Sequence, residues 1–130
     1  MPTLNPPALR YHRLWTALGW IFVALIIYLS LMHPPRGVIA AAFDIGHLFA
    51  YAWLMIWFAQ IHRPTATRFA IGAALCAMGV ALEFAQGMTG YRTFDYADMR
   101  MDALGVGVGL LLARTPAQHL LRGLEQHLTR

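Results

Sequence analysis

The sequence predicts an all-α integral membrane protein, a four-helix bundle followed by a short C-terminal amphipathic helix. Three observations point there. The 130 residues are 58% hydrophobic and only 12% charged, too apolar for an ordinary soluble domain of this length. The apolar residues gather into long runs, three of which approach or exceed the roughly 20 residues that cross a bilayer as helix. Finally, Asp44, Glu83, Asp95, Asp98 and Asp102, five of the six acidic residues, lie at the edges of those runs or in one short link between two of them. An ionised carboxylate deep in hydrocarbon costs roughly 3 kcal/mol or more unless it is paired, hydrated or used. The acids therefore mark where function is to be sought.

Residues 1–13 read as a disordered cytoplasmic tail, proline-rich from Met1 to Pro7. The first run, Leu14 to Met32, follows Arg10 and Arg13 and so invites reading as a signal peptide. It exceeds the roughly 7 to 15 apolar residues of a signal core. It is followed by His33-Pro34-Pro35-Arg36 rather than by a small-residue cleavage site, so an uncleaved anchor is expected. The second run spans Val38 to Ile61 and the third Phe69 to Gly87, after which Gly87 and Gly90 are expected to turn the chain. A fourth, Tyr96 to Ala113, is shorter and begins in polar residues. Gly105, Gly107 and Gly109 within it suit close helix packing. Trp15, Trp20, Trp53, Trp57 and Tyr28 fit interface anchors or packing groups, and Cys76, the single cysteine, fits a small apolar residue in mid-span.

Residues 14–113 thus form a four-span domain, and residues 114–130 a cytoplasmic amphipathic tail. Within the tail, Thr115-Pro116-Ala117-Gln118 has the capping threonine, first-position proline and following glutamine of a helix start. Leu120, Leu121, Leu124 and Leu128 would line one face, with His119, Arg122 and His127 nearer the other. Such a helix lies on the inner leaflet or covers the bundle.

The net charge of +4 comes from ten arginines spread over links and tails, so nucleic acid is not an expected partner. With four spans, Arg10, Arg13, Arg63, Arg68, Arg114, Arg122 and Arg130 fall on one side, and Arg36, Arg92 and Arg100 on the other. The richer side is expected to be cytoplasmic. Both termini are then inside, and the acidic third link faces out.

At that outer face the second span begins with Asp44, His47 and Tyr51, spaced three and four residues apart and so on one helical face. The third span ends with Glu83 and Gln86, again on one face. The third link supplies Arg92, Asp95 and Asp98, and Asp102 follows one turn later. A bundle with inward polar faces would collect these nine residues into a ligand-binding pocket that opens outward.

Asp44-x-x-His47-x-x-x-Tyr51, followed by Glu83-x-x-Gln86, Arg92, Asp95, Asp98, Gly105 and Gly109, resembles the VanZ-like family of small membrane proteins. The resemblance covers about Asp44 to Gly109, with the first span matching only as a hydrophobic anchor. Two positions depart from the family pattern: Ile45 stands where lysine is usual, and Asp102 where asparagine is usual. The resemblance implies a bacterial cytoplasmic (inner) membrane protein of the cell envelope. It further implies modulation of susceptibility to teicoplanin-type glycopeptide antibiotics, but no defined reaction.

Three chemistries suit these residue types. A headgroup-binding site would recognise membrane lipids, a lipid-linked cell-wall precursor or a glycopeptide-related ligand. A divalent metal cofactor would draw on Asp44, His47, Glu83, Asp98 and Asp102. A membrane-embedded enzyme acting on a lipid phosphate or wall precursor would use His47 or Glu83 as general base and Arg92 to stabilise developing charge. Against all three stands a structural or assembly reading, in which Arg92 pairs with Glu83, Asp95 and Asp98 in a salt-bridge network. Nucleophilic serine or cysteine chemistry is disfavoured, because the only serine, Ser30, lies in the first span and Cys76 lies in mid-membrane.

Overall fold

The computed structural model describes residues 8–130; of the tail expected over 1–13, residues 1–7 lie outside the described residues, whereas Leu9 is buried and His12 and Arg13 already belong to the first helix. The described chain is all-α. Its helices are α1 (His12–Leu31), α2 (Ala40–Ile61), α3 (Thr65–Met88), α4 (Tyr96–Leu112) and α5 (Leu120–Leu128), with a 3-10 turn over Pro116–His119. The first three are long and apolar enough to cross a membrane. The fourth has 17 residues, about 26 Å of helix, and it carries Asp98, Arg100 and Asp102 in its first turns. That is shorter than the roughly 30 Å hydrocarbon core.

The second helix is the hub. It packs against α1, α3 and most extensively α4, and α3 in turn touches α1 and α4. From Tyr51 to Ile61 almost every residue of α2 is buried, with Leu54, Met55 and Ala59 fully so. By contrast α1 buries a single stripe, Trp15, Gly19 and Val23, at the four-residue spacing of one helical face. Trp20, Ile21, Leu25 and Tyr28 face outward. An apolar outer surface on this scale is what lipid solvates and water does not.

Two glycines of α4 make the closest helix contact. A Cβ on Gly109 would stand 2.5 Å from Met55 Cβ, and one on Gly105 would meet the Leu48 carbonyl and Tyr51. Lipid offers little drive for helix association, so van der Waals contact at such small residues does much of the holding. Two expectations about glycine are corrected. Gly107 faces open space, since its position between the two packing glycines turns it away. Gly87 remains inside α3, and the turn is made at Gly90, whose φ of +78° suits a residue without a Cβ.

Buried tryptophans also serve packing more than anchoring. Trp15 and Trp57 meet edge to face at 6.1 Å, and the Trp57 indole donates to the Trp15 carbonyl. Trp20 and Trp53 remain on the outer surface.

Helix ends expose backbone groups that need partners, and near lipid those partners must come from the protein. Side chains supply them at both ends of the bundle. The Arg68 guanidinium donates to the carbonyls of Ala59 and His62 at the end of α2 and of Ala113 after α4, and to Gln118 Oε1. Gln60 Oε1 accepts the Leu121 N–H at the start of α5. At the opposite end, Gln86 and Tyr91 donate to the Ser30 and Leu31 carbonyls that close α1.

Glu125, the one acid that the sequence reading leaves aside, is buried. It accepts from the backbone N–H groups of Arg10 and Tyr11 at 2.9 and 2.8 Å and from the Trp15 indole at 2.7 Å. Burial would raise its pKa, but these donors outweigh burial and hold the carboxyl below its ordinary value. The last helix thus caps the first. Together these bonds gather the start of α1 with the ends of α2 and α4, so that consecutive long helices run antiparallel.

The C-terminal segment departs from its expected form. Thr115 Oγ1 does accept the Ala117 N–H, but Pro116–His119 forms a 3-10 turn and the α-helix begins at Leu120. The four leucines share one face of this helix, but only part of it is covered. Leu121 turns inward beside Glu125, while Leu120, Leu124 and Leu128 stay exposed.

Candidate functional site

At the end opposite Glu125, polar side chains from three helices converge. His47 enters from the second turn of α2, where it is half-buried. Its Nδ1 lies 2.8 Å from Asp102 Oδ1 and its Nε2 lies 3.6 Å from Asp98 Oδ2. Asp98 and Asp102 sit one turn apart on α4, so both carboxylates reach the same imidazole. Asp102 is 2% exposed and fits because α3 has glycine opposite: a Cβ on Gly79 would stand 2.5 Å from Asp102 Oδ2.

Glu83, 1% exposed, enters from α3. Its Oε2 accepts the Asp95 N–H at 2.9 Å, which ties the third link to the end of α3. Asp95 itself caps α4 by accepting the Ala97 N–H. One ligand atom each from His47, Glu83 and Asp98 lie within 4.8 Å of one another. The contact with Asp102 orients the imidazole: a hydrogen on Nδ1 would donate to Asp102 and leave the Nε2 lone pair free to ligate an ion held also by Glu83 and Asp98. Metal-bound histidines are oriented in this way by a carboxylate behind them.

Three carboxyl groups around one imidazole leave more acid than base in the cluster, an excess that a proton or a cation would neutralise. No arginine relieves it among the described residues, whose only carboxylate ion pairs are the two to His47. Arg92 instead lies over the Phe43 ring at 5.7 Å, so the expected pairing of Arg92 with Glu83, Asp95 and Asp98 does not form. Link residues Thr89 to Asp95 are held by other bonds. The Thr89 hydroxyl accepts the Arg92 N–H, and the Tyr91 ring stacks on His33 at 3.8 Å, which carries the Arg92 side chain toward α2.

Among the nine expected ligand residues, His47, Glu83, Asp98 and Asp102 thus form one cluster. Asp95 is exposed and engaged in capping, and Gln86 is buried and engaged with Ser30. Asp44 is half-buried and makes no hydrogen bond among the described residues. Tyr51 is buried behind His47.

Beside the cluster, between α1 and α2, a cavity of about 320 Å³ is lined by Ile26, Leu29, Ala50 and Tyr51, with His47 and Arg92 also on its wall. Sequence reasoning misses three contributors: Gly79, Phe43 and the α1 side of this cavity. Gly79 is legible in principle, since it precedes Glu83 by four residues and shares its helical face. The other two depend on how α1 and the third link pack, which no local spacing encodes.

Comparison of the chain with protein-family models, curated proteins and solved structures finds no match.

Proposed function

We propose that this chain is a four-span, VanZ-like protein of the bacterial cytoplasmic membrane, with both termini in the cytoplasm. In this reading its outward-facing polar site binds a divalent cation and, through it, the anionic headgroup of a lipid-linked or cell-wall precursor. The observation that carries the reading is the convergence of His47, Glu83 and Asp98 with Asp102 behind the imidazole. Mixed nitrogen and oxygen ligands suit Zn²⁺ or Mn²⁺ better than the all-oxygen shells typical of Ca²⁺. Glycopeptide susceptibility would then change through the availability of the precursor.

A catalytic version of the same site has one observation in its favour. Three protein ligands leave coordination positions open, and an open position is what lets an ion activate water or polarise a phosphoryl oxygen. Arg92, free of carboxylate partners, would hold a second anionic oxygen. The purely structural reading is supported by the Glu83–Asp95 bond that holds the third link, but not by Arg92, which lies over Phe43.

Elemental analysis of protein purified without chelators tests the cation. About one divalent ion per chain is expected, absent from Glu83→Gln, in which the amide oxygen can still accept the Asp95 N–H. Asp102→Asn should weaken affinity about tenfold or more, as loss of a carboxylate behind a metal-bound histidine does. No stoichiometric ion in the wild-type protein, after incubation with Zn²⁺ or Mn²⁺, would refute the reading.

A further inference from the structure

We infer that the cavity between α1 and α2 holds the hydrocarbon chain of a lipid whose phosphate sits between Arg92 and the proposed cation. The inference rests on the cation-binding reading and names its ligand class. The cavity wall is almost wholly aliphatic and aromatic, with Ile26 and Leu29 from α1 facing Ala50 and Tyr51 from α2. Its volume of about 320 Å³ falls within the range of sites that enclose small ligands. An apolar slot at this depth suits a lipid tail, and a soluble metabolite would gain little from it.

The charged or basic groups on the wall are His47 and Arg92. His47 lines the cavity and the cluster alike, so a headgroup beside it reaches the ligand set without leaving the slot. Arg92 has no carboxylate or carbonyl partner for its guanidinium among the described residues. The guanidinium is therefore free to take an anion, and a phosphate presents two oxygens in the geometry of its fork. Phe43, over which Arg92 lies, is itself part of the wall. The cation and Arg92 would both offer positive charge to a headgroup at His47, which selects an anionic monoester over a zwitterionic headgroup.

The probe is a single-chain lipid monophosphate added to the purified full chain in neutral detergent. It is compared by calorimetry with the same chain carrying phosphocholine and with inorganic phosphate. One equivalent of the monophosphate should bind, at least about tenfold tighter than either control, the scale of hydrogen bonds to a charged group. Arg92→Ala should erase the preference over phosphocholine. Gly46 also lines the slot, and a Cβ there meets nothing within 4 Å. Gly46→Phe therefore fills the space without disturbing the backbone, and should weaken the probe by about tenfold or more while the bound ion is retained.

Equal binding of the two lipids, or undiminished binding in a folded Gly46→Phe protein, would overturn the inference and leave only the annular lipid that surrounds any membrane protein. Binding of inorganic phosphate as tightly as the probe would overturn the tail site. Chelation separates the two readings. A preference for the monophosphate that survives EDTA upholds the slot while counting against the cation, and a bound ion with no lipid preference does the reverse.

Discussion

Protonation of Glu125 would weaken one acceptor toward three donors at once. Its carboxyl is held below its ordinary value when folded, so the unfolded chain takes up the proton first as pH falls. The stability contributed is therefore complete above the ordinary glutamate range and is lost below about pH 4.5, as pH passes down through the folded value. Thermal melting in detergent should show Glu125→Gln destabilised by on the order of 1–2 kcal/mol at neutral pH, the scale of a lost helix cap. That deficit should shrink toward pH 4; a constant difference across the range would count against an ionised cap. At this scale the sequence is informative where helical spacing fixes direction. Asp98 and Asp102 share a face, and so do Glu83 and Gln86, which is why the cluster could be assembled from numbers alone. Spacing assigns no role to Glu125 and does not reveal that Arg92 lies over Phe43, because their partners lie far away in sequence or on an irregular link, where spacing says nothing about side-chain direction.

Among the elements, α4 gives the sharpest contrast, because adjacent glycines have opposite surroundings. Gly109→Ala would press a methyl group against Met55 and should cost about 1–3 kcal/mol, as overpacking does. Gly107→Ala meets open space and should be neutral or gain up to about 1 kcal/mol of helix propensity. Equal effects in melting experiments would mean that α4 does not approach α2 so closely. The existence of α1 to α4 followed from the length of apolar runs, and their ends fell within a few residues of the run boundaries. The 3-10 turn before α5 was not legible, because Thr115-Pro116 starts either kind of helix. The choice is made by where Gln60 and Arg68 can reach the backbone. The role of α1 as one wall of the slot was equally hidden, since its composition specifies apolarity and not its rotation.

For the molecule as a whole, the antiparallel arrangement and the uneven distribution of arginine together bear on topology. In a Cys76→Ala background, single cysteines at Ala8 and Arg130 should react with an impermeant maleimide from the cytoplasmic side and one at Thr93 from the other. Labelling of positions 8 and 130 from opposite sides would mean that α4 does not cross. The apolar exterior and polar ends were readable from composition. Assignment of each end to a task was not, because both carry arginine, glutamate and glutamine. Both ends use such groups to cap backbone, and only one also gathers three carboxylates around an imidazole. The bond from Glu125 to Arg10 and Tyr11 has a further consequence, for biogenesis. Residue 125 leaves the ribosome after all four long helices have been made, so α1 must enter the bilayer with the amides at its start uncapped. Until translation reaches α5, that end of the nascent protein is open to chaperones and proteases.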